Sequence, residues 1–336
     1  MARTLSLVHL AVMFTCASAF EPISTGIFLG VTAMGGYKYF DLIKQKTYCR
    51  FHECCDDENV PFDIMKLKAS LDDRLYGQHI AQDKVFSAVA SHYKEREKSK
   101  KPLVMTFLGT QGTGKNFVSN LIAEAVFEKG TASKFYHVFH GSQYVDSSRM
   151  RQYQEEIKDT IFKGIDQCHY SIFVFDEVDK MPEGIFTSIT GMLDHHTLVR
   201  GRNLKRAMFI FLTNYGGGEI TRVLHHLTVK KALFRHELKL SHFEEMSRLS
   251  IYNKDGGMKE TDLIKSAVID FYIPFLPLEA KHIEQCIRAE YENFGREYVT
   301  DEMVNEILNY IGFHTVTKYA NTGCKTIHPK VRAECL

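Results

Sequence analysis

The chain has 336 residues, of which 44% are hydrophobic and 25% are charged. It can therefore bury a sizeable core and is not a disordered protein. Its formal net charge is +1, from 42 Lys and Arg against 41 Asp and Glu, which gives no indication of a nucleic-acid partner.

The first 19 residues have the pattern of a secretory signal peptide. Arg3 is their only charge, an apolar stretch runs from Leu5 to Cys16, and Ala17-Ser18-Ala19 is the small-x-small sequence that signal peptidase accepts. We expect cleavage after Ala19. The alternative is a short buried helix of a cytosolic protein.

Residues 20–60 combine an apolar segment with a cysteine-rich linker. Residues 22–37 carry no charge and contain several Gly, Ser and Thr. They are too short to cross a bilayer, which takes roughly 20 apolar residues. Either they lie in one leaflet, as a peripheral membrane contact, or they pack on the protein itself.

Removal of the signal peptide would leave an odd number of cysteines, so at least one of them is expected to be free or intermolecular. The cluster at residues 49–55 lacks the paired spacing of a zinc site and favours disulfides in an oxidising compartment. The sequence contains no Asn-x-Ser/Thr sequon, so glycosylation gives no support for a secretory location. The cysteines in question are Cys49, Cys54, Cys55, Cys168, Cys286, Cys324 and Cys335.

Apolar residues at helical spacing between Phe62 and Tyr93 predict two helices that are broken at Tyr76-Gly77. A charged link over residues 94–101 follows, and Pro102 ends it. The continuous apolar run over residues 103–108 then predicts a buried strand.

A glycine-rich turn lies between this strand and a helix-like apolar pattern that begins at Phe117. Gly109, Gly114 and Lys115 fit G-x-x-x-x-G-K, in which glycine lets backbone N–H groups turn toward phosphates and lysine reaches the outer ones. Asn116 stands where Ser or Thr usually places a hydroxyl on Mg²⁺, and its amide oxygen can take that role directly or through water. We predict a phosphate-binding loop here, with a chance match as the alternative. The expected nucleotide-binding residues are Gly109, Thr110, Gln111, Gly112, Thr113, Gly114, Lys115, Asn116 and Phe117, joined by Asp176 further along the chain.

Two carboxylates follow a later apolar strand. After a second strand at residues 135–139 and a helix at residues 152–165, the run 171–175 ends in Asp176-Glu177. The carboxyl ends of strands are where open α/β sheets bind ligands. Asp176 would hold Mg²⁺ through water, and Glu177 would orient and deprotonate the water that attacks the γ-phosphate. An ordinary helix start is the alternative.

A third apolar run, residues 207–212, is followed by Thr213-Asn214. The Asn214 amide at the tip of a neighbouring strand can contact both the γ-phosphate and the attacking water. The alternative is a turn-forming Asn before Gly216-Gly217-Gly218.

The chain changes character near Asp270. Residues 271–278 are apolar and interrupted by proline, which indicates a hinge, and helical stripes follow. We therefore expect a large domain over residues 61–272 and a small helical domain over residues 273–336. Lys325, in Gly323-Cys324-Lys325, puts a cation in a loop from which it could reach the phosphates, unless it is an ordinary surface residue.

These motifs, in this order, resemble those of the AAA+ ATPases and in particular of the torsins, the AAA+ branch of the endoplasmic reticulum and nuclear envelope. The resemblance covers roughly residues 48 to 330. It rests on the sequences at residues 48–55, 76–79, 112–119, 173–181, 274–278 and 323–326.

The resemblance implies an α/β fold, in which an AAA+ P-loop domain with a central parallel sheet flanked by helices is joined to a small C-terminal helical domain. It implies ATP and Mg²⁺ as cofactors, with Lys115 on the nucleotide and Asn116 and Asp176 near the metal. Asp176 and Glu177 would form the Walker B pair, and Asn214 and Lys325 would be the two sensors.

The resemblance also implies a redox pair. Cys324 lies beside the second sensor, and Cys286 would be its redox partner. A reversible bond would couple nucleotide binding to redox state, whereas an inert structural disulfide is the alternative.

In torsins the ATPase site lacks an arginine finger, and a membrane-anchored lumenal cofactor supplies one. The resemblance implies the same arrangement for this chain. Arg222 and Arg235 follow the first sensor here, but neither lies in a recognisable finger motif. Tyr144 is a weak match to a pore-loop aromatic, and we expect it at the surface. The implied location is the endoplasmic reticulum lumen and perinuclear space, with homo- or hetero-oligomers.

Three functional hypotheses follow. The first is a lumenal ATPase that remodels membrane-associated protein assemblies, and the second is a nucleotide-gated binding protein with negligible hydrolysis. The third, a cytosolic unfoldase related to Clp, conflicts with the signal-like N-terminus and the cysteine cluster. The intact Glu177 favours the first hypothesis over the second, because a pure binding module needs no catalytic base.

Overall fold

Five short strands form one parallel sheet in the computed structural model of the chain. They are β1 (Leu103–Leu108), β2 (Tyr136–His140), β3 (Ile172–Asp176), β4 (Met208–Thr213) and β5 (Phe271–Pro274), and their order across the sheet is β2-β3-β4-β1-β5. In the centre, β1 pairs with β4 from Leu103↔Met208 to Leu108↔Thr213. Both strands are buried along their whole length, which explains why continuous apolar runs mark them in the sequence.

The structure describes residues 49, 52–55, 60, 62–195, 198–253, 256–259, 262–265, 267–296 and 298–335. The signal peptide predicted at residues 1–19 and the apolar segment at residues 22–37 lie outside these ranges. Within them, no helix is both long enough and apolar enough to cross a membrane. The chain divides into two compact units, residues 1–54 and residues 55–336, and the sheet belongs to the second.

Helices connect the strands and cover both faces of the sheet. They are α1 (Ile64–Arg74), α2 (His79–Lys94), α3 (Lys115–Val126), α4 (Met150–Gln167), α5 (Thr187–Thr190), α6 (Gly217–His225), α7 (Glu244–Tyr252), α8 (Asp262–Lys265), α9 (Ala280–Asn293), α10 (Asp301–Asn309) and α11 (Ile327–Cys335). Single 3₁₀ turns lie at Gly130–Ala132, Gly141–Gln143, Ser147–Arg149, Val178–Lys180, Arg235–Glu237 and Leu240–His242, and a π-helical turn at His226–Lys230 extends α6.

The two faces of the sheet bury separate apolar cores because side chains alternate along each strand. On one face, aromatic rings stack across neighbouring strands, with ring centres 4.7 Å apart for Phe139 and Phe175 and 4.9 Å apart for Phe175 and Phe211. The opposite face packs against α1, α2 and α3 and includes Met105 and Ile210. This double covering fixes the ends of the strands, from which the polar side chains of the site project.

The C-terminal helices α9, α10 and α11 enclose a third apolar cluster, which includes Ile283, Ile287, Ile307 and Val331. The fold is therefore α/β with a helical C-terminal part, as the sequence predicts. The first four residues of the predicted hinge form β5 instead, because they pair with β1 from Met105↔Phe271 to Leu108↔Pro274. The predicted domain boundary at residues 272/273 falls inside β5, and the division into domains stays a prediction.

Three disulfides occur among the described residues. Cys49 is joined to Cys54, Cys55 to Cys168, and Cys286 to Cys324. Cys335 carries a free thiol. The seven cysteines that follow residue 19 thus form three pairs and one free thiol.

Candidate nucleotide-binding site

One cavity of about 740 Å³ brings together most of the residues that the sequence singles out. It lies at the carboxyl ends of the central strands, between the glycine-rich turn and the helices α9 and α11. Gly109 and Thr110 lie beneath it and contribute through their carbonyl groups. The predicted residues that line it are Gln111, Gly112, Thr113, Gly114, Lys115, Asn116, Phe117, Asp176, Glu177, Asn214, Lys325, Cys286 and Cys324.

The glycine-rich turn is held against the loop that precedes α11. Gly112 has φ +73°, and a Cβ there would lie 1.8 Å from the carbonyl oxygen of Thr322. The carbonyl of Gly112 accepts a hydrogen bond of 3.0 Å from the N–H of Cys324. Glycine is therefore required at residue 112 both by the backbone conformation and by this close approach.

Lys115 begins α3 and is 7% exposed. Its ammonium group donates to the carbonyls of Gly109 (2.6 Å) and Thr110 (2.8 Å) and to Oδ1 of Asn214 (3.2 Å). Burial lowers the pKa of Lys115 to about 8, although Asp179 attracts the charged form. The Lys115 ammonium group thus lies on the loop at the N-terminus of α3, a position where anionic phosphates bind favourably.

Asn116 and Asp176 lie side by side at the mouth of the turn. The Asn116 amide donates to Asp176 Oδ2 over 2.7 Å, and His140 Nδ1 lies 3.6 Å from the same oxygen. Within the described residues, no cluster of three or more His, Cys, Asp or Glu could hold a metal ion by itself. One carboxylate and one amide fit Mg²⁺ bound with a nucleotide, because that ion takes few protein oxygens and completes its shell with phosphates and water.

Glu177 follows β3 in the left-handed region, with φ +54°. Its carboxylate projects into the cavity and accepts a hydrogen bond of 2.7 Å from Lys180 Nζ. That bond raises the pKa of Lys180. The carboxylate is therefore held by a neighbouring cation rather than buried, and a water molecule can approach it.

Asp179 is a site residue that the sequence argument missed. Its Oδ1 accepts from the Asn214 backbone N–H (3.0 Å) and from the Thr213 hydroxyl (3.2 Å), and its Oδ2 accepts from the Asn214 amide (3.3 Å). This leaves Asn214 Oδ1 facing Lys115. The only sequence signal for this role was the position of Asp179, two residues after the Asp-Glu pair.

Gln78 was also missed, because nothing in a single sequence separates it from the surface residues of a helix start. Its side chain is 1% exposed, and its amide donates to the carbonyls of Thr113 (3.0 Å) and Leu276 (2.7 Å). Its amide oxygen, Oε1, accepts a hydrogen bond of 2.8 Å from the Leu276 N–H. Gln78 therefore ties the glycine-rich turn to the segment that leads from β5 into the C-terminal helices.

The C-terminal part contributes Cys286 of α9, and Cys324 and Lys325 of the loop before α11, to the cavity wall. The disulfide attaches Cys286 of α9 to the loop that carries Lys325. Lys325 is close enough to Lys115 for its charge to lower the pKa of that residue. Two cations therefore converge on the same volume, which favours a polyanionic ligand.

The two arginines considered above, Arg222 and Arg235, do not line the cavity. Arg222 is exposed, and Arg235 is largely buried, where it donates to the Gly77 carbonyl (2.8 Å) and pairs with Glu279 (3.1 Å). Of the described residues that line the cavity, the one arginine is Arg74, which lies over the Phe117 ring.

Tyr144 is buried, so the expectation of a surface tyrosine was wrong. It is 4% exposed, its hydroxyl donates to Glu156 over 2.9 Å, and its ring lies edge-on to Tyr153. The ring is part of the core and does not form an exposed pore-loop aromatic.

The fold is similar to that of two solved structures of Hsp104. S. cerevisiae Hsp104 in its ADP complex aligns with a TM-score of 0.56 at 15% identity, over 81% of this chain and 46% of that chain. A closed-state reconstruction of Hsp104 with ATPγS and FITC casein aligns with a TM-score of 0.54 at 14% identity, over the same shares. The chain thus spans about half the length of these chains, and its fold is that of the AAA+ ATPases.

Sequence comparison narrows this class. Residues 49–175 match the family model described as Torsin. A Torsin-like protein of Drosophila melanogaster is 38% identical over 319 residues, which are 93% of this chain and 91% of that protein. A Torsin-like protein of Caenorhabditis elegans is 33% identical over 297 residues, which are 87% and 83% of the two chains. The chain belongs to the torsin family.

Proposed function

We propose that this protein binds ATP with Mg²⁺ and hydrolyses it with the help of an activator protein. The observation that carries the proposal is the convergence of Lys115, Asp176, Glu177, Asn214 and Lys325 on one cavity. A binding module would need the cations of this set. Only a hydrolase needs, in addition, a carboxylate that is open to water.

Each side chain has a distinct task in this proposal. The backbone of the glycine-rich turn and Lys115 bind the β- and γ-phosphates. Asn116 and Asp176 would hold Mg²⁺, which neutralises phosphate charge as the bond to the leaving group breaks. Glu177 orients the attacking water and accepts its proton, while Asn214 and Lys325 contact the γ-phosphate.

Among the described residues that line the cavity, Arg74 is the one arginine, and it lies over the Phe117 ring, so none of them is placed as an arginine finger. Arg222 and Arg235 point elsewhere, and an arginine finger contributes about 10³ to 10⁵ in rate. We propose that a membrane-anchored lumenal protein supplies it. Hydrolysis by the isolated chain is then very slow.

The proposed setting is the endoplasmic reticulum lumen and perinuclear space, after removal of residues 1–19. Residues 22–37 would make a peripheral membrane contact, and homo- or hetero-oligomers would act as chaperone-like remodellers of membrane-associated assemblies and of the nuclear envelope. Three disulfides among the described residues fit an oxidising compartment.

ATPase assays of the purified chain, alone and with candidate lumenal activator domains, test this proposal. We expect little turnover alone and at least a thousandfold stimulation by the correct domain, through its arginine. Glu177→Gln should keep ATP binding and lose the stimulated turnover. If stimulated hydrolysis survives this change, Glu177 is not the base.

The alternative is a nucleotide-gated binding protein with negligible hydrolysis. It would be favoured if no activator raised the rate while ATP still changed partner binding. Lys115→Ala separates both hypotheses from a chance motif, since unchanged nucleotide affinity in this variant would remove the phosphate-binding role altogether.

A further inference from the structure

The loops that enter the five strands form a strongly basic end of the molecule, which we call the basic edge. All strands are parallel, so these loops lie together, opposite the nucleotide site. They hold eleven Lys and Arg against four Asp and Glu over residues 94–102, 127–135, 168–171, 198–207 and 267–270. The loops that leave the strands hold only two Lys and Arg against five Asp and Glu, over residues 109–114, 141–149, 177–186, 214–216 and 275–279. Charge is thus sorted between the two ends of a chain whose net charge is only +1.

Backbone contacts make the basic edge a continuous surface. The N–H of Leu103 donates to the carbonyl of Ala207 over 3.1 Å, and the N–H of Met208 donates to the carbonyl of Ser171 over 3.1 Å. The loops before β1, β3 and β4 are therefore in register with one another. The cations of the loops before β1 and β4 therefore act on one surface, with the loop before β3 beside them.

Many cations of the basic edge have no carboxylate partner. Lys94, Lys98, Lys100 and Lys129 are exposed and Lys205 is half-buried, and none of these five forms an ion pair with another described residue. Other cations there are already paired with carboxylates, namely Lys101, Arg202 and Arg206. The unpaired lysines leave a net positive field at this end.

The second unit of the chain begins at the same edge. Cys55 is bonded to Cys168, which is buried in the loop that enters β3. The Cα atoms of Cys49 and Cys54 are 5.4 Å apart, and eleven residues lie between Tyr37 and Cys49. The apolar segment therefore ends within about 50 Å of chain from Cys55, even when the intervening residues are fully extended. A lipid surface that this segment touches is within reach of the basic edge.

We propose that the basic edge faces a lipid bilayer and binds its anionic, phosphate-bearing headgroups. This inference extends the proposed membrane contact of residues 22–37. An apolar segment and a basic patch together supply the two signals that stable peripheral binding requires. The attraction of each Lys or Arg acts within about a Debye length of the surface. This orientation leaves the nucleotide site at the far end, accessible to an activator protein.

Vesicle flotation of the full chain tests the proposal, with phosphatidylcholine vesicles and with vesicles of about one third phosphatidylserine. The edge variant combines Lys98→Glu, Lys100→Glu and Lys205→Glu. The matched control combines Lys230→Glu, Lys231→Glu and Lys239→Glu, three exposed lysines between α6 and α7. We expect the edge variant to bind the anionic vesicles roughly a hundredfold or more weakly, since it loses the attraction of three lysines near the surface. The control variant should bind like the wild type, and added salt should weaken wild-type binding.

Several outcomes would overturn the proposal. The edge variant could bind anionic vesicles as well as the wild type does, or the control variant could lose as much vesicle affinity as the edge variant. A DNA duplex could also displace the chain from the vesicles at equal phosphate concentration. Wild-type binding to phosphatidylcholine reports on residues 22–37 alone. Its absence, together with edge-dependent binding to anionic vesicles, would support the basic edge while rejecting the apolar contact. Activator-stimulated ATPase activity, measured in parallel, should be equal in both variants.

Discussion

Lys115 is the residue whose charge state a bound polyphosphate would change most. Burial lowers its pKa to about 8, and Asp179 and Asp176 only partly offset that effect. A lowered pKa means that the charged form is disfavoured in the folded chain. The resulting cost in stability is fully present below pH 8 and fades as the pH rises toward the ordinary pKa of lysine. Phosphates reverse this preference because they stabilise the ammonium form.

Nucleotide binding should therefore take up a proton above about pH 8. Titration calorimetry with MgATP, in two buffers of different ionisation enthalpy, should give roughly 0.8 proton at about pH 8.8 and roughly 0.1 at about pH 7. A Lys180→Met control should keep this difference, because Lys180 is solvent-exposed and its pKa is raised. Equal proton uptake at the two pH values would contradict the assignment to Lys115.

Gln78 is predicted to set the shape of the glycine-rich turn. Gln78→Ala would leave the Thr113 carbonyl and both backbone groups of Leu276 without their buried partner, at about 1–3 kcal/mol for each group. Nucleotide affinity should fall roughly tenfold or more, in addition to a loss of stability. Gln154→Ala removes one bond of the same kind, to the Gly184 carbonyl, and should change only stability because neither residue lines the cavity. Comparable affinity losses in the two variants, measured by nucleotide titration, would reduce Gln78 to a general packing role.

At the scale of elements, the four strands β1 to β4 were the most predictable part of the fold, whereas β5 was predicted as a hinge. β1 coincides with the apolar run at residues 103–108, and β3 and β4 lie within one residue of the predicted runs. Strands that are buried on both faces consist of continuous apolar residues, so the apolar run in the sequence indicates where such a strand begins and ends. The helices α9 and α10 were predicted from stripes at helical spacing.

The region between β4 and β5 was not predictable in the same way. It folds into α6, a π-helical turn, α7 and α8, all of them short, and a short helix shows too few turns for a stripe to stand out. The roles of Gln78 and Asp179 depend on partners 198 and 35 residues away in sequence, namely Leu276 and Asn214. Single-sequence periodicity contains no information about such distant pairs.

The disulfide between α9 and the loop before α11 is an element whose effect on the site can be tested. The bond holds Cys324, whose N–H donates to the Gly112 carbonyl, and Lys325 follows directly. Reduction would release this loop from Cys286, so we expect weaker nucleotide binding in the reduced protein. Nucleotide titration with and without reductant measures the effect.

The variants follow from the same geometry. A Cys286→Ser/Cys324→Ser protein should bind nucleotide with the reduced affinity in both conditions, and Cys335→Ser should behave like the wild type because Cys335 is a free thiol. Identical wild-type affinities in the two redox states would mean that the bond is purely structural.

For the whole molecule, the parallel sheet separates two kinds of surface. The nucleotide cavity lies at the carboxyl ends of the strands and the basic edge at their amino ends, about the length of a strand and its flanking loops apart. Because the sheet is rigidly covered on both faces, a partner that acts at one end need not disturb the other. The disulfide between Cys55 and Cys168 fixes the start of the second unit at the basic edge.

This disulfide should also contribute strongly to stability, because it closes a long loop. Its cysteines are 113 residues apart, and the chain-entropy model gives about 5 kcal/mol for such a loop. Cys55→Ala/Cys168→Ala should therefore lower the melting temperature by roughly 5–10 °C. Cys49→Ala/Cys54→Ala is the matched control, since a sequence separation of 5 gives only about 2 kcal/mol in the same model. Thermal unfolding followed by circular dichroism under non-reducing conditions gives the comparison. Equal shifts for the two pairs would show that loop closure in the unfolded chain is not what the longer bond contributes.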